Sequence, residues 1–317
     1  MSKLITVVGA TGAQGGSVVA AALKSGKYQV RGITRNVNSE AAKALTAQGV
    51  EMVSADSNDE ASLVKAFKGS YAIFAVTDFF AAFAQHNAEE SIEIEASQGI
   101  NLAKAAAKTP TLQHYIWSTL PDNMKISGGT CPVPHFESKF KVDQFIKQDR
   151  ELLAKTTFLW VTYYASNIVM PMIVPNFVKS SGKHVQVFPV SETTPITTMG
   201  DTKVNTGIYA LAILEQPHLT LPGKVVFGNT ETRTAGDMLK LWSEVSGKPA
   251  EYVAVSLEHY DKLWPKWGLE VGLMFKYWEV VGERSWTSAD QQVLTNKDLK
   301  ITGLVGMKEV FAGFDWS

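Results

Sequence analysis

The segment Leu4–Gly15 reads Leu-Ile-Thr-Val-Val-Gly-Ala-Thr-Gly-Ala-Gln-Gly, an apolar strand running directly into glycines at positions 9, 12 and 15. A strand, a tight turn and a helix start in that order open a parallel α/β sheet and cradle a nucleotide pyrophosphate. Gly9 permits the turn, Gly12 lets backbone N–H groups approach the phosphates, and Gly15 lets the helix lie close on the strand. The phosphates then sit at the positive end of the helix dipole. The competing phosphate loop, which ends in Gly-Lys-Ser/Thr, is absent. Counted from Gly9, its lysine position holds Gly15, and the next lysine is Lys24.

The same rhythm continues through the first half of the chain. Strand-like runs fall at Leu4–Val8, Gln29–Thr34, Val50–Ser54, Tyr71–Val76, Gln113–Ser118 and Thr157–Val161. Helical patterns lie between them at Gln14–Ser25, Ser39–Gln48, Glu60–Phe67, Ala88–Ala107 and His135–Asp149. Tyr-Ala-Ile-Phe-Ala-Val is almost wholly apolar, as suits a strand covered on both faces. Alternating strands and helices predict an α/β Rossmann fold, a doubly wound parallel sheet with right-handed crossovers. Its ligand crevice lies beyond the C-terminal strand ends, where Gly9, Arg35, Asp56, Thr77 and Ser118 fall.

After Val161 the rhythm loosens, with prolines at 171, 175, 189, 195, 217 and 222 and helical stretches near Thr202–Glu215, Ala235–Ser246 and Leu269–Val281. The expected division is a nucleotide-binding domain over 1–161 and a smaller α+β lobe over 162–317, parts of which return to the sheet. Six of the eight tryptophans lie in the second part. They either pack that lobe on the sheet or wall the crevice.

A net charge of −1 without a run of Lys or Arg argues against direct binding to nucleic acid or an anionic membrane. One cysteine, Cys131, excludes an intramolecular disulfide and fits a reducing compartment. No leader-like segment precedes the first strand, and no apolar run approaches the roughly 18 residues of a membrane span. A cytoplasmic protein, with the nucleus also compatible, is the expectation. The six histidines show neither a His-x-x-x-His pair nor a cysteine partner, so no metal site is expected.

Arg35 stands 20 residues after Gly15, at the end of the second strand. A cofactor without a 2′-phosphate favours Asp or Glu there, whereas arginine offers a planar cationic fork for a phosphate. The expected cofactor is therefore NADP(H). Asp56 either meets the adenine amino group or caps the helix that follows, although Asp59 is better placed for the cap. Thr77 either brings its backbone beside the cofactor or ends a plain turn. His135 and Lys139 share one face of a helix, and the lysine either holds the nicotinamide ribose or is solvated. Of Tyr163 and Tyr164, at least one is expected to pack against the second lobe.

Taken in order, Gly-Ala-Thr-Gly-Ala-Gln-Gly-Gly-Ser-Val, Thr-Arg-Asn, Gly-Val-Glu, Ala-Asp-x-x-Asp, Val-Thr-Asp-Phe, His-Phe-Glu-Ser-Lys and Tyr-x-x-Asn resemble the NmrA-like family of atypical short-chain dehydrogenases, nearest its redox-sensor branch. The resemblance spans nearly the whole chain. It implies a Rossmann domain with a smaller C-terminal lobe, and a pyrophosphate cradled by Gly9, Ala10, Thr11, Gly12, Ala13 and Gln14. It implies Arg35 on the 2′-phosphate, Asp56 on the adenine, and Thr77, Asp78 and Phe79 along the middle of the cofactor. Lys139 would hold the nicotinamide ribose, with Tyr164 and Asn167 flanking the nicotinamide end. A basic residue that the family carries in its long fourth helix falls near Ser97 and is not carried over.

Reductases of the wider superfamily place a tyrosine four residues before the active-site lysine, where its hydroxyl protonates the substrate oxygen. Here that position is His135. Ser118 keeps a hydroxyl where a reductase orients a carbonyl. Lys139, Ser118, His135 and Tyr164 are thus the candidate catalytic groups, in an incomplete set. Two functions follow. One is an NADP(H)-binding redox sensor acting on a protein partner, such as a transcription regulator. The other is an NADPH-dependent reductase of a small carbonyl, enone, quinone or imine. A homodimer is compatible with either.

Overall fold

A computed structural model describes residues 3–317. The first half contains β1 (Lys3–Val8), α1 (Ala13–Ser25), β2 (Tyr28–Thr34), α2 (Glu40–Ala47), β3 (Glu51–Ser54), α3 (Glu60–Phe67) and β4 (Ala72–Ala75). It continues with α4 (Phe79–Phe83), α5 (Ala88–Ala107), β5 (His114–Thr119), α6 (Asn123–Ile126), α7 (Pro134–Gln148), α8 (Arg150–Leu153) and β6 (Thr156–Val161). The second half begins with β7 (Tyr163–Tyr164), β8 (Asn176–Val178), β9 (Lys183–Phe188), β10 (Pro195–Gly200), α9 (Thr202–Glu215), α10 (Pro217–Thr220), β11 (Lys224–Gly228) and β12 (Glu231–Thr234). It ends with α11 (Ala235–Ser246), β13 (Ala250–Ala254), α12 (Leu257–Leu263), α13 (Trp267–Val281), β14 (Val293–Leu294) and α14 (Met307–Ala312).

Eight parallel strands form the main sheet in the order β14-β11-β6-β5-β4-β1-β2-β3, a doubly wound Rossmann arrangement. Every residue of β4, β5 and β6 is buried, because helices cover both faces. Strands β11 and β14 come from the second half and extend the sheet beyond β6. Helix α9 also returns, packing on α1 so closely that a Cβ at Gly207 would stand 2.2 Å from the Ser17 carbonyl oxygen. The Ser17 hydroxyl accepts the Gly207 amide at 2.8 Å across that contact.

The remaining strands form two small sheets, β12-β10-β7 and β13-β9-β8. Their core is aromatic: Trp242, Trp278, Tyr260 and Phe275 are buried and continuous with Trp117 and Tyr115 under the large sheet. Packing accounts for most of the tryptophans. Trp267 is different, stacking on Phe80 at 6.0 Å between ring centroids.

Helix starts follow local chemistry. Asp59 caps α3 by accepting from the amides of Ala61 and Ser62, and Asn87 with Glu90 forms a reciprocal capping box on α5. Helix α4 has no counterpart in the sequence reading, since five residues are too few to show a helical period. Asp78 caps it through the Phe80 and Ala81 amides.

Candidate cofactor crevice

The site begins where β1 ends. Gly9 takes a left-handed φ of 66°, and its carbonyl accepts the Gly12 amide at 2.9 Å, closing the turn. A Cβ at Gly15 would lie 2.2 Å from the Gly9 carbonyl oxygen, so only glycine lets α1 sit this close to the strand. Helix α1 starts at Gly12 with no side-chain cap and no acidic residue in its first turn. Its first N–H groups therefore point outward without a built-in anion, which fits a phosphate.

A crevice of about 440 Å³ leads from this turn across the strand ends. Gly9, Thr11, Arg35, Asn58, Thr77 and Asp78 are among its lining residues. Arg35 is exposed there, and among the described residues no hydrogen-bond or ion-pair partner engages its guanidinium. Asp56 turns back on its own loop, with Oδ1 accepting both the amide and the side-chain Nδ2 of Asn58 at 2.9 Å. The crevice wall at that point is Ser57 and Asn58, so the helix-cap role falls to Asp59 and the wall to the two residues between.

Behind the crevice wall, Lys139 reaches from α7 to Thr77, two residues past the end of β4. Its Nζ donates to the Thr77 carbonyl and hydroxyl oxygens at 3.1 Å each and to Glu95 Oε1 at 2.9 Å. Glu95 is fully buried on α5 and also accepts the hydroxyls of Thr77, at 2.8 Å, and Ser138. Lys139 is therefore an anchored cation rather than a solvated one. The ring of Phe79 is buried against Phe83 and His135, while the neighbouring Thr77 and Asp78 line the crevice. Helix α4 buries Phe79 and Phe83 while its capping Asp78 is exposed.

The remaining candidates are tied into internal pairs. Ser118 is buried and donates its hydroxyl to Gln14 Oε1 at 2.7 Å, while Gln14 Nε2 donates to the Tyr164 hydroxyl at 2.6 Å. Ser118 therefore does not present a free donor beside an open substrate position. Tyr164 is the tyrosine that meets the glycine loop, and burial pushes its phenol up to about 12. Tyr163 packs into the core, its ring edge-on to Trp278 at 6.0 Å. Asn167 lies in a short 3-10 turn over Ala165–Val169, directly after Tyr164.

His135 is likewise held inward. It is 7% exposed, and its Nδ1 lies 2.6 Å from Oε1 of Glu270, itself buried in the first turn of α13. The same oxygen accepts the His135 amide at 3.3 Å. Glu95 and Glu270 were both missed from sequence. Glu95 left one signal, since it shares the buried stripe Ser91, Glu95, Gly99 and Leu102 of α5, where a carboxylate demands partners. Glu270 left none.

No group of side chains among the described residues is suited to hold a metal ion, and no helix there is long and apolar enough to cross a membrane. A protein of Dictyostelium discoideum described as containing an NmrA-like family domain is 27% identical over 306 residues, covering 93% of this chain and 94% of its own. Among solved structures, the negative transcriptional regulator NmrA in complex with NADP superposes with a TM-score of 0.75 at 21% identity, over 98% of this chain and 95% of that one. The triphenylmethane reductase of Citrobacter sp. complexed with NADP(H) gives 0.64 at 21% identity, over 97% and 99%. The profile of the NmrA-like family matches residues 1–297, and the chain belongs to that family.

Proposed function

We propose that this protein binds NADP(H) in the crevice and passes the state of that cofactor to a protein partner. The glycine turn and the open start of α1 would hold the pyrophosphate, and Arg35 the 2′-phosphate. Thr77 and Lys139 would meet the nicotinamide ribose, and Tyr164 and Asn167 would flank the nicotinamide end. When bound, the cofactor supplies hydride chemistry.

The observation that carries the sensing reading is the state of His135. It occupies the place of the superfamily's proton-donating tyrosine, and it is buried and bonded to Glu270. With Ser118 also donating to Gln14, two of the four candidate catalytic groups are engaged within the protein. The His135–Glu270 contact joins the cofactor-side helix α7 to α13, and Phe80 stacks on Trp267 at the same junction. A sensor requires two conformations that bind the oxidised and reduced forms differently. This junction supplies an element for such a change.

A reductase is the second reading, favoured by the anchored Lys139 ammonium, which donates to Thr77 on the crevice wall. NADPH oxidation with a panel of quinones, aldehydes, enones and imines separates the two. Sensing requires negligible turnover together with different affinities for NADPH and NADP⁺. Robust turnover that is lost in Lys139→Ala overturns it in favour of the enzyme.

A further inference from the structure

A second cavity, of about 550 Å³, lies between α7, the segment after β5 and the segment after α13. It shares no lining residue with the cofactor crevice. Its walls are apolar where Phe140, Trp160, Val225 and Leu120 meet. Set into them is Asp143, only 4% exposed.

The hydrogen bonding of Asp143 is one-sided. Oδ1 accepts both Trp117 Nε1, at 2.8 Å, and the Thr119 hydroxyl, at 2.7 Å. Oδ2 receives no hydrogen bond from the described residues, yet it belongs to a side chain lining the cavity. Oδ2 is not one of the fully buried polar atoms left without a partner, so it keeps access to the cavity, where a strong donor, above all an ammonium group, can reach it.

The cations nearby do not fill that role. Lys125 is paired with Asp290 at 2.7 Å, beside Asp122, which caps α6. Lys147 stands one turn beyond Asp143 on α7, its Nζ over the rings of Phe140 and Phe158 at 5.6 and 5.4 Å. Arg284 is exposed on the opposite side of the opening. Lys139, on the preceding turn of α7, is held by Glu95. The cavity thus has one acidic oxygen that accepts no hydrogen bond, aromatic walls and, among the described residues, two cations without an ion-pair partner at the rim.

We propose that this cavity binds a small zwitterion with an aromatic body, an aromatic amino acid being the simplest. Its ammonium would donate to Asp143 Oδ2, its ring would lie on Phe140 and Trp160, and its carboxylate would face Lys147 and Arg284. Burial pushes the Asp143 carboxyl up to about 7, against the lowering effects of Lys147, its two hydrogen-bond donors and Lys139. An entering ammonium favours the ionised carboxylate, so affinity rises with pH through neutrality.

Calorimetric titration of the full chain with L-phenylalanine and L-tryptophan tests this, with 3-phenylpropionate and phenethylamine as probes lacking one charge. Saturable binding is expected, about tenfold tighter at pH 8 than at pH 6 for one ionisation centred near 7. Either probe should bind at least tenfold more weakly. Asp143→Asn keeps an acceptor for Trp117 and Thr119, and near-ultraviolet circular dichroism checks that it is folded. It should abolish the pH dependence, whereas the exposed Arg284→Gln should weaken binding several-fold and keep it. Absence of saturable binding at millimolar amino acid, or 3-phenylpropionate binding as tightly as phenylalanine, overturns the proposal. So does binding that neither variant alters. NADPH titration of the same samples reads the cofactor site separately, so failure of one proposal leaves the other distinguishable.

Discussion

Glu95 Oε1 accepts the Lys139 ammonium at 2.9 Å, joining α5 to α7 through a carboxylate with no solvent exposure. Removing one partner leaves the other charge buried and unmatched, which costs about 3–5 kcal/mol. Glu95→Ala and Lys139→Met are each expected to lower stability by about that amount in urea denaturation. The combination Glu95→Gln with Lys139→Met should lose less than either, because no charge remains buried. Additive losses would show that the pair is not coupled.

In the proposed reading, Arg35 sets the cofactor preference. Among the described residues its guanidinium has no partner, so its truncation would remove the charge-assisted contact to the cofactor without leaving a buried group unsatisfied. Such contacts contribute about 1.5–3 kcal/mol, or roughly a 10- to 100-fold change in affinity. Arg35→Ala should weaken NADPH binding by that factor and leave NADH nearly unchanged, as read by fluorescence titration. Equal titration curves for both cofactors in the wild type would remove the assignment.

Two glycines are sterically required, in different places. A methyl at Gly15 meets the Gly9 carbonyl at 2.2 Å, and one at Gly207 meets the Ser17 carbonyl at the same distance. Both obstacles are backbone and cannot swing aside. Each alanine substitution should destabilise by about 1–3 kcal/mol or more. Gly15→Ala should also abolish NADPH binding by displacing the turn. Gly207→Ala should leave NADPH affinity within about twofold in the fraction that folds, since α9 packs on α1 away from the crevice.

Two buried groups give opposing pH dependences of stability. Burial lowers His114 to about 4, so only the unfolded chain takes up that proton between about 6.5 and 4, and stability falls as pH falls. Burial raises Asp143 to about 7, so the folded chain keeps a proton that the unfolded chain releases above about 4, and stability falls as pH rises. Between pH 4 and 6.5 the two contributions oppose each other. Asp143→Asn should expose a positive slope of up to about 1.4 kcal/mol per pH unit, and His114→Gln a negative one. Unchanged slopes in denaturation series across this range would contradict both shifts.

Much of the architecture is legible in the residues because it rests on local periodicity. The helices Glu60–Phe67 and Ala88–Ala107 fall where the apolar spacing predicts them, each preceded by its cap. The six strands of the first half lie within a residue or two of their apolar runs. The short α4 is not legible, and although a return of part of the second half to the sheet is expected, that β11 and β14 make it is not. Five residues carry no period, and an apolar strand says nothing about which distant strand it joins.

By itself the sequence determined the glycine turn, the parallel α/β sheet and the arginine at the crevice, since these depend on backbone sterics and spacing over a few residues. Only the tertiary structure decided which polar groups remain free. Lys139 meets Glu95 from 44 residues away, His135 meets Glu270 across 135, and Gln14 joins Ser118 and Tyr164 across 104 and 150. A buried polar atom must find a partner wherever packing brings one, and packing is a property of the whole chain.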